Sequence, residues 1–560
     1  MALSGMFCAL LVVSGAKAQN APDAGTILRQ QPQLPTLPKP APAKPAHGKP
    51  ETSPPAAAES TVDVKGFRIF GNTLIPEAEL LDQLKDLAGK SQRFDELLVI
   101  RLRLTAYYAD KGYLARVFLP PQEIRDGILE VRIVEGTRGD IHVESKAARV
   151  KADRVRRFIE ARAPAGALLD TNAVGEALNI LNEQPGVRVS SALAAGKTES
   201  AVDMNVTAAD RPLATFDLAL NNQGARATGT GQITAGVSLA NPTGLFDQVS
   251  ALVNRSEGSS FGRVDYSLAV GDRGLRAGVN LSALSYQLVQ PDFSALQARG
   301  TAYTAGLRTT YPILRRDDLS LTIDAGADTK QFQDRTVSGE TGDRRVTVAN
   351  AGLSGFSAWS RVSGLTVVTF SGTLAGGSLN QRNSAALAAD LAARRTEGSY
   401  RKIAYDLGLL HTFGRSWSLA GSFRGQQADK NLDSSERLSL GGANAVRAYP
   451  LGEATGDEGW VIKADLKHRL RDGWRAGVFY DAGGITQNHT LPPAGLATPN
   501  RYTLGGAGLV LEWLPRPDIS MTFTIASPVG NNPGNSAAGT NIDGSRSNAS
   551  RGWFGLLARF

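Results

Sequence analysis

The sequence predicts a chain in two parts: small α+β modules, then a membrane β-barrel of sixteen antiparallel strands. Three observations carry this. Helical and extended periodicities interleave from about Thr61 to Asp210. After Arg211-Pro212 the helical stripes vanish, and short segments of strict alternation recur to the end between Gly, Asn, Asp and Ser clusters. The chain closes on an alternating aromatic stretch, Phe554, Leu556, Ala558 and Phe560.

Composition sets the outer limits. Over 560 residues, 42% hydrophobic and 20% charged content excludes a wholly disordered chain. No run of about 18 uninterrupted apolar residues offers an α-helical membrane span. The formal charge of +8 is spread along the chain without a Lys/Arg block, which argues against nucleic acid as a partner. The single Cys, Cys8, lies in the predicted leader, so the mature chain has no disulfide, no thiol chemistry and no Cys-ligated metal.

Residues 1–18 read as a signal peptide. An apolar core from Met6 to Val13 precedes Ala16-Lys17-Ala18, a small-x-small cleavage pattern, although no Lys or Arg precedes the core. Within 19–31, the stretch from Pro22 to Gln31 suits a short helix. Residues 32–60 are rich in Pro, Ala and Lys, the composition of a semi-rigid spacer that joins no core.

The first module, 61–136, opens on a strand marked by Val62, Val64, Phe67 and Ile69 and ending at Gly71-Asn72. Pro76 suits a first helical turn, and Leu80, Leu81, Leu84 and Leu87 form one apolar stripe. A second helix runs from about Phe94 to Lys111, with Leu97, Ile100, Leu104 and Tyr107 inward and Gly112 as its stop. Strands Tyr113–Leu119 and Ile128–Val134 follow, the latter after an Asp126-Gly127 turn. The second module, 137–210, is a looser copy. Ile141 and Val143 mark a strand, Arg154–Ala163 a helix, and Asp170 caps another helix closed by Pro185-Gly186. Val187, Val189, Val202, Met204 and Val206 supply its last strands, giving a tandem repeat of about 75 residues.

In 211–560, Phe216, Leu218 and Leu220 alternate with polar or small neighbours. So do Val264, Tyr266, Leu268 and Val270, and Trp460, Ile462, Ala464 and Leu466. Fifteen or sixteen such strands can be marked, far beyond one sandwich. A membrane barrel turns the apolar face to lipid and the polar face to a wet lumen, and closure leaves no edge in hydrocarbon. In the strand from about Arg475 to Gly483, Trp474, Ala476, Val478 and Tyr480 share the outward face, and Arg475, Phe479 and Asp481 point into the lumen.

Enzyme chemistry finds no footing. Gly196-Lys197-Thr198 mimics the end of a P-loop, but Ser191 stands where its first Gly belongs. His47, His142, His411, His468 and His489 are scattered without zinc-ligand spacing. No nucleophile elbow is expected. The reading is a non-enzyme, with no catalytic residue, cofactor or metal.

These features together resemble the two-partner secretion transporters, the haemolysin secretion/activation family of the POTRA-plus-barrel superfamily. Three segments carry the resemblance most specifically. The run from Gly112 to Gln122, with Asp126 to Gly136, resembles the end of the family's first POTRA domain. Val446-Arg447-Ala448-Tyr449 resembles the tip of its long sixth extracellular loop, here around 440–456, with Ala448 where the family usually has Gly. Phe479-Tyr480-Asp481-Ala482-Gly483 resembles the barrel-wall motif that receives this loop. If the backbone at Ala448 needs positive φ, Ala is strained there by about 1–2 kcal/mol.

The resemblance implies the following. The chain resides in the outer membrane of a Gram-negative bacterium, with both POTRA domains in the periplasm. The POTRA sheets bind an unfolded, large secreted exoprotein (TpsA-type, haemolysin or adhesin), which leaves through the barrel without ATP. Arg447 pairs with Asp481 to hold the loop inside, and the helix within 19–31 plugs the lumen at rest. Phe554, Leu556 and Phe560 form the insertion signal for the barrel-assembly machinery, reached with periplasmic chaperones; outer-membrane lipid is the other partner. A general assembly or translocation factor of the superfamily and a passive porin are the alternatives.

Overall fold

The computed structural model describes residues 21–32, 61–146, 148–362, 364–496 and 498–560. The expected signal peptide and nearly all of the Pro-rich spacer lie outside the described residues. The amino-terminal helix is α1 (Ala24–Arg29), capped by Asp23, whose carboxylate accepts from the Thr26 N–H at 2.9 Å.

The first module contains β1 (Thr61–Val64), β2 (Gly66–Phe70), α2 (Glu77–Asp82), β3 (Lys90–Arg93), α3 (Phe94–Asp110), β4 (Ala115–Phe118) and β5 (Ile128–Glu135). Its main sheet has the order β2–β5–β4, with β2 parallel and β4 antiparallel to β5. The single strand expected over 62–69 is two strands. The chain breaks at Lys65, whose N–H donates to the Gly127 carbonyl at 2.7 Å, and β1 leaves the sheet to pair with β3. On α3, Leu97, Ile100 and Leu104 are buried as expected, but Tyr108, not Tyr107, completes the stripe at full burial. Four residues beyond Leu104 the helix returns to the same face, whereas Tyr107 lies at its border and donates to Glu79.

Tyr108 reaches a buried carboxylate. Glu135 accepts from the Tyr108 hydroxyl at 2.9 Å, from the Thr73 and Leu74 N–H groups at 2.8 and 2.9 Å, and from the Thr73 hydroxyl. Burial alone raises such a carboxyl, but these four donors outweigh it and hold Glu135 below the usual glutamate range. Its ionised form therefore stabilises the module above the unfolded glutamate value of about 4.3, and that contribution is lost as pH falls through the lower folded value. Tyr108→Phe is expected to cost the module about 1.5–3 kcal/mol, the worth of a hydrogen bond to a charged group. Limited proteolysis of the full chain across a urea series, at neutral and acidic pH, checks both the loss and its disappearance in acid.

The second module repeats the topology with β6 (Thr137–Ser145), α4 (Ala152–Glu160), α5 (Thr171–Glu183), β7 (Val187–Ala195) and β8 (Ala201–Asp210). Its sheet order is β6–β8–β7, again with the first strand parallel and the middle strand antiparallel to the last. Asp170 caps α5 by accepting from the Asn172 and Ala173 N–H groups at 2.8 and 3.2 Å. The modules are joined by backbone: the Thr171 N–H donates to Gly112, the helix-stopping glycine at φ +88°, and the Leu169 N–H to Gly136, both at 2.8 Å. The second core also receives a barrel residue. Phe246, from the turn between the second and third barrel strands, is fully buried there and meets Phe158 edge-on at 5.4 Å.

The remainder closes into a sixteen-stranded antiparallel barrel running from Ala214–Asn221 to Arg551–Arg559. Last and first strands pair from Gly555↔Asn221 to Arg559↔Asp217, where Arg559 Nε donates to Asp217 at 2.6 Å. Phe560 extends the seam through reciprocal backbone bonds with Phe216 of 2.8 and 3.0 Å. Outward residues such as Val253, Leu281, Leu307 and Leu509 are 59–62% exposed, while inward polar residues such as Asn254, Asn280 and Asp481 are buried. That inversion of the soluble pattern marks a lipid-facing wall around a polar lumen.

Candidate functional site

The lumen is occupied by two segments that do not belong to the wall. The first is the loop between the strands Trp417–Ala428 and Glu458–Arg471. Its base is a two-residue hairpin, Leu438–Ser439 against Thr455–Gly456, and its tip folds back so that the Val446 N–H donates to Leu440 at 2.8 Å. Val446, Ala448 and Tyr449 are buried at 0–1% exposure, and Arg447 at 6%.

Arg447 meets the wall through a complete set of charge-assisted bonds. Its Nε and Nη2 donate to the two oxygens of Asp481 at 2.8 and 2.7 Å, and its own N–H adds a third bond at 3.0 Å. Nη1 and Nη2 also donate to Asp465, on the neighbouring strand, at 2.8 and 3.1 Å. The guanidinium lies over the Phe479 ring, 3.5 Å from its centroid. One permanently charged fork thus serves two carboxylates and an aromatic face, a task that suits Arg and not Lys. Trp553 of the closing strand donates its indole N–H to the Arg447 carbonyl at 2.7 Å, linking the loop tip to the seam.

The wall is shaped to let the loop approach. A Cβ on Gly483 would stand 2.9 Å from Leu440, and one on Gly506 would stand 2.6 Å from the Ala448 methyl. Ala448 is not among the residues at positive φ, so the strain contemplated for it does not arise; its methyl fits over a glycine of the wall. Gly506→Ala is expected to weaken the loop's seat through this clash, and Ala448→Gly in the same chain to restore it. Protease accessibility of the loop in intact cells reads both.

The second segment is α1. Arg344, buried in the wall at 5% exposure, holds three carboxylates: Asp23 of the helix cap at 2.6 Å, Asp334 of the adjacent strand at 2.8 Å and Asp433 of the loop at 2.7 Å. Arg29 donates to the Arg437 carbonyl at 2.8 Å, and Asn254 donates to Gln31 at 3.0 Å. Ala24 and Ile27 join an apolar cluster with Leu252, Phe261, Leu284 and Phe332 of the wall. A Cβ on Gly25 would run into the Ser434 hydroxyl, so the glycine lets the helix lie this close to the loop as long as Ser434 is present.

The structure therefore brings Val446, Arg447, Ala448 and Tyr449 together with Phe479, Asp481 and Gly483. It keeps Phe554, Leu556 and Phe560 apart from them: those residues face outward on the closing strand, alternating with the inward Trp553 and Arg559, and Phe560 is 68% exposed. Asp465, Trp553 and Arg344 are contacts that sequence reasoning missed. The alternation had already set Asp465 on the polar face of its strand; nothing local marks the other two.

One expectation on enzyme motifs needs correcting. Gly258-Ser259-Ser260-Phe261-Gly262 carries the letters of a nucleophile elbow. Ser260 nevertheless lies inside a barrel strand, on the outward face, and not at a strand-to-helix turn, so the geometry of an elbow is missing. Gly196-Lys197-Thr198 sits in the turn between β7 and β8, with no helix after it to receive phosphate. Among the described residues, the donor atoms of Asp140, His142 and Asp203 converge on the surface of the second module. Lys197 already binds Asp140 at 2.9 Å, and Asp203 accepts the Asp140 N–H at 2.7 Å.

Tandem α+β modules, a sixteen-stranded lipid-facing barrel and a loop clamped inside it define an outer-membrane transporter of the POTRA-plus-barrel class. A sequence profile of the haemolysin secretion/activation proteins ShlB/FhaC/HecB matches residues 198–501, and one of the ShlB-type POTRA domain matches residues 62–136. The chain belongs to the ShlB/FhaC/HecB family, the outer-membrane transporters of two-partner secretion, with its POTRA domains in the periplasm. Among curated relatives, the heme/hemopexin transporter protein HuxB of Haemophilus influenzae is 25% identical over 469 residues, covering 82% of this chain and 81% of that one. The outer membrane transporter CdiB of Escherichia coli is 24% identical over 512 residues, covering 83% and 82%. In fold, the chain is similar to solved CdiB from Escherichia coli, with TM-score 0.69 and 19% identity over 92% of this chain and 94% of that one. CdiB from Acinetobacter baumannii gives TM-score 0.60 and 15% identity over 90% and 91%.

Proposed function

We propose that this chain secretes one large exoprotein, of the haemolysin or adhesin type, by binding it unfolded at the POTRA sheets and passing it through the barrel. The observation that carries this reading is the double occupation of the lumen. Loop and helix stand outside the strand ladder and are tied to the wall by the ion pairs of Arg447 and Arg344 and by apolar side-chain contacts, so both can be displaced without breaking the barrel's backbone hydrogen bonds, and the space they fill is the conduit. α1 is the resting plug and the Arg447 clamp keeps the loop in its working position. The expected domain limits at 18, 31, 60, 136 and 210 follow this division of labour.

The POTRA sheets offer the entry site. Edge strands β4 and β7 border one groove of about 260 Å³ between the modules, lined by Leu114, Arg116, Leu193 and Val202. Leu193 is 45% exposed. An extended segment added there gains main-chain hydrogen bonds with little demand on its sequence. Without a phosphate-binding loop in the chain, folding of the exoprotein outside the cell supplies the direction. Photo-crosslinking residues placed at Arg116 and Leu193 test the entry site: they should capture the exoprotein during export, and capture elsewhere on the modules alone would refute it.

A further inference from the structure

At the end away from the modules, which is the extracellular end, the lipid-facing wall changes character. A groove of about 740 Å³ crosses the strands from Gln248–Arg255 to Gly339–Arg361. Its floor is made of small outward residues, Ala251, Gly262, Ala283 and Ala305, and a Cβ built on Gly262 would meet nothing within 4 Å. Tyr303, 55% exposed, stands at its side. Tyr303 pairs in register with Gln331, and Gln331 with Arg345, which bring the groove to a polar rim.

Beyond that rim, four residues further along both strands, Arg299 and Arg335 stand directly opposite each other and both are exposed. Like charges directly opposite across two strands are destabilising. Among the described residues no carboxylate is ion-paired with Arg299, Arg335 or Arg345. The acid in register with Arg335 is Glu340, which accepts from the Asn383 amide at 3.1 Å. Below the rim, the strand carrying Tyr303 turns Ala305, Leu307, Thr309, Tyr311 and Ile313 outward. Ten residues at about 3.4 Å and a tilt of about 40° give a band about 25 Å tall, the height of the hydrocarbon layer around such barrels. Arg345 therefore lies at the rim of the apolar groove, and Arg299 and Arg335 lie above it at the outer headgroup level.

We propose that this wall binds a phosphorylated lipid of the outer leaflet, with an acyl chain in the groove and the phosphate among Arg299, Arg335 and Arg345. Guanidinium forks match phosphate oxygens two at a time, and the phosphate converts the opposed pair of cations from a repulsion into a clamp. The open floor at Gly262 supplies the apolar half of the recognition. Arg345, level with Tyr303, sits where a headgroup phosphate meets the first methylenes of its chain.

The test uses the full chain, delipidated in detergent, with native mass spectrometry as readout. The probes are a bisphosphorylated outer-leaflet glycolipid, the same glycolipid dephosphorylated, and inorganic phosphate. The native chain should bind the phosphorylated glycolipid at least tenfold more tightly than the dephosphorylated form, and inorganic phosphate should not displace it. The triple variant Arg299→Gln, Arg335→Gln, Arg345→Gln should lose at least tenfold, and so should Gly262→Phe, which fills the groove and leaves the cations intact. Heat-modifiable gel mobility confirms that each variant is folded, and Gly262→Phe decides alone if the triple variant is not. Unchanged binding in folded variants, equal binding of the dephosphorylated lipid, or displacement by inorganic phosphate would each overturn the proposal.

Discussion

Arg447→Ala is expected to release the loop from the barrel wall and cut secretion of the exoprotein at least tenfold at unchanged outer-membrane levels. The substitution removes four side-chain hydrogen bonds at once and deprives Asp481 and Asp465, at 0% and 9% exposure, of the cation bonded to both, leaving Lys463, in register with Asp481, as the charge beside them. Breaking a buried ion pair by removing one partner typically costs about 3–5 kcal/mol. The backbone bond from residue 447 to Asp481 survives in any variant but cannot replace the four side-chain bonds that are lost. Asp481→Asn should cost less, because Asp465 still neutralises the guanidinium. Asp481→Asn combined with Asp465→Asn should approach the Arg447→Ala defect. Surface proteolysis of the loop separates displacement from unfolding, since the barrel itself stays resistant.

The second large effect is expected where α1 meets the wall. Arg344→Ala strands Asp23, Asp334 and Asp433 in one buried site, again about 3–5 kcal/mol by the same logic. The three carboxylates belong to the helix, the wall and the loop, and of these α1 is the lightest and the least anchored. It should leave first. In planar bilayers the variant is expected to show a large rise in open-channel conductance and frequency over the native chain, and Asp23→Asn a smaller rise of the same kind. Tethering α1 by a disulfide between Gly25→Cys and Ser434→Cys, two neighbouring positions, should suppress the channel activity of Arg344→Ala and restore it on reduction. A conductance unaltered by Arg344→Ala would remove the plug from the account.

What the sequence disclosed follows the range of the forces involved. The alternation of barrel strands is local, so the wall, its lipid face and the lumen face of Asp481 were readable from single strands. The clamp's second carboxylate was not, although Asp465 was visibly on a lumen face. Which residue of one strand stands beside which of the next depends on register, here set by the Asp472-Gly473 turn and a shift between Arg469 and Arg471 that places Asp465 opposite Phe479. Arg344 reaches Asp433 across 89 positions and Asp23 across 321, and no local pattern encodes contacts of that span. Two misreadings in the first POTRA domain did leave a trace. The apolar positions slip phase between Val64 and Phe67, where the strand breaks, and the stripe Leu97, Ile100, Leu104 continues by helical spacing to Tyr108. Ala448 shows the converse: the departure from Gly at the loop tip is matched by Gly506 on the wall, a compensation visible only once the two are side by side.

The measurement that bears most directly on the central claim places a photo-crosslinking residue in the barrel wall while a stalled exoprotein is in transit. Two positions suffice: Asp328, on the lumen face, and Leu307, which is 62% exposed on the lipid face of the neighbouring strand. A conduit through the barrel predicts capture of the exoprotein at Asp328 and none at Leu307, with capture at Asp328 lost when Arg447→Ala is added. Capture at Leu307 with silence at Asp328 would mean that the exoprotein crosses outside the lumen and would contradict the account.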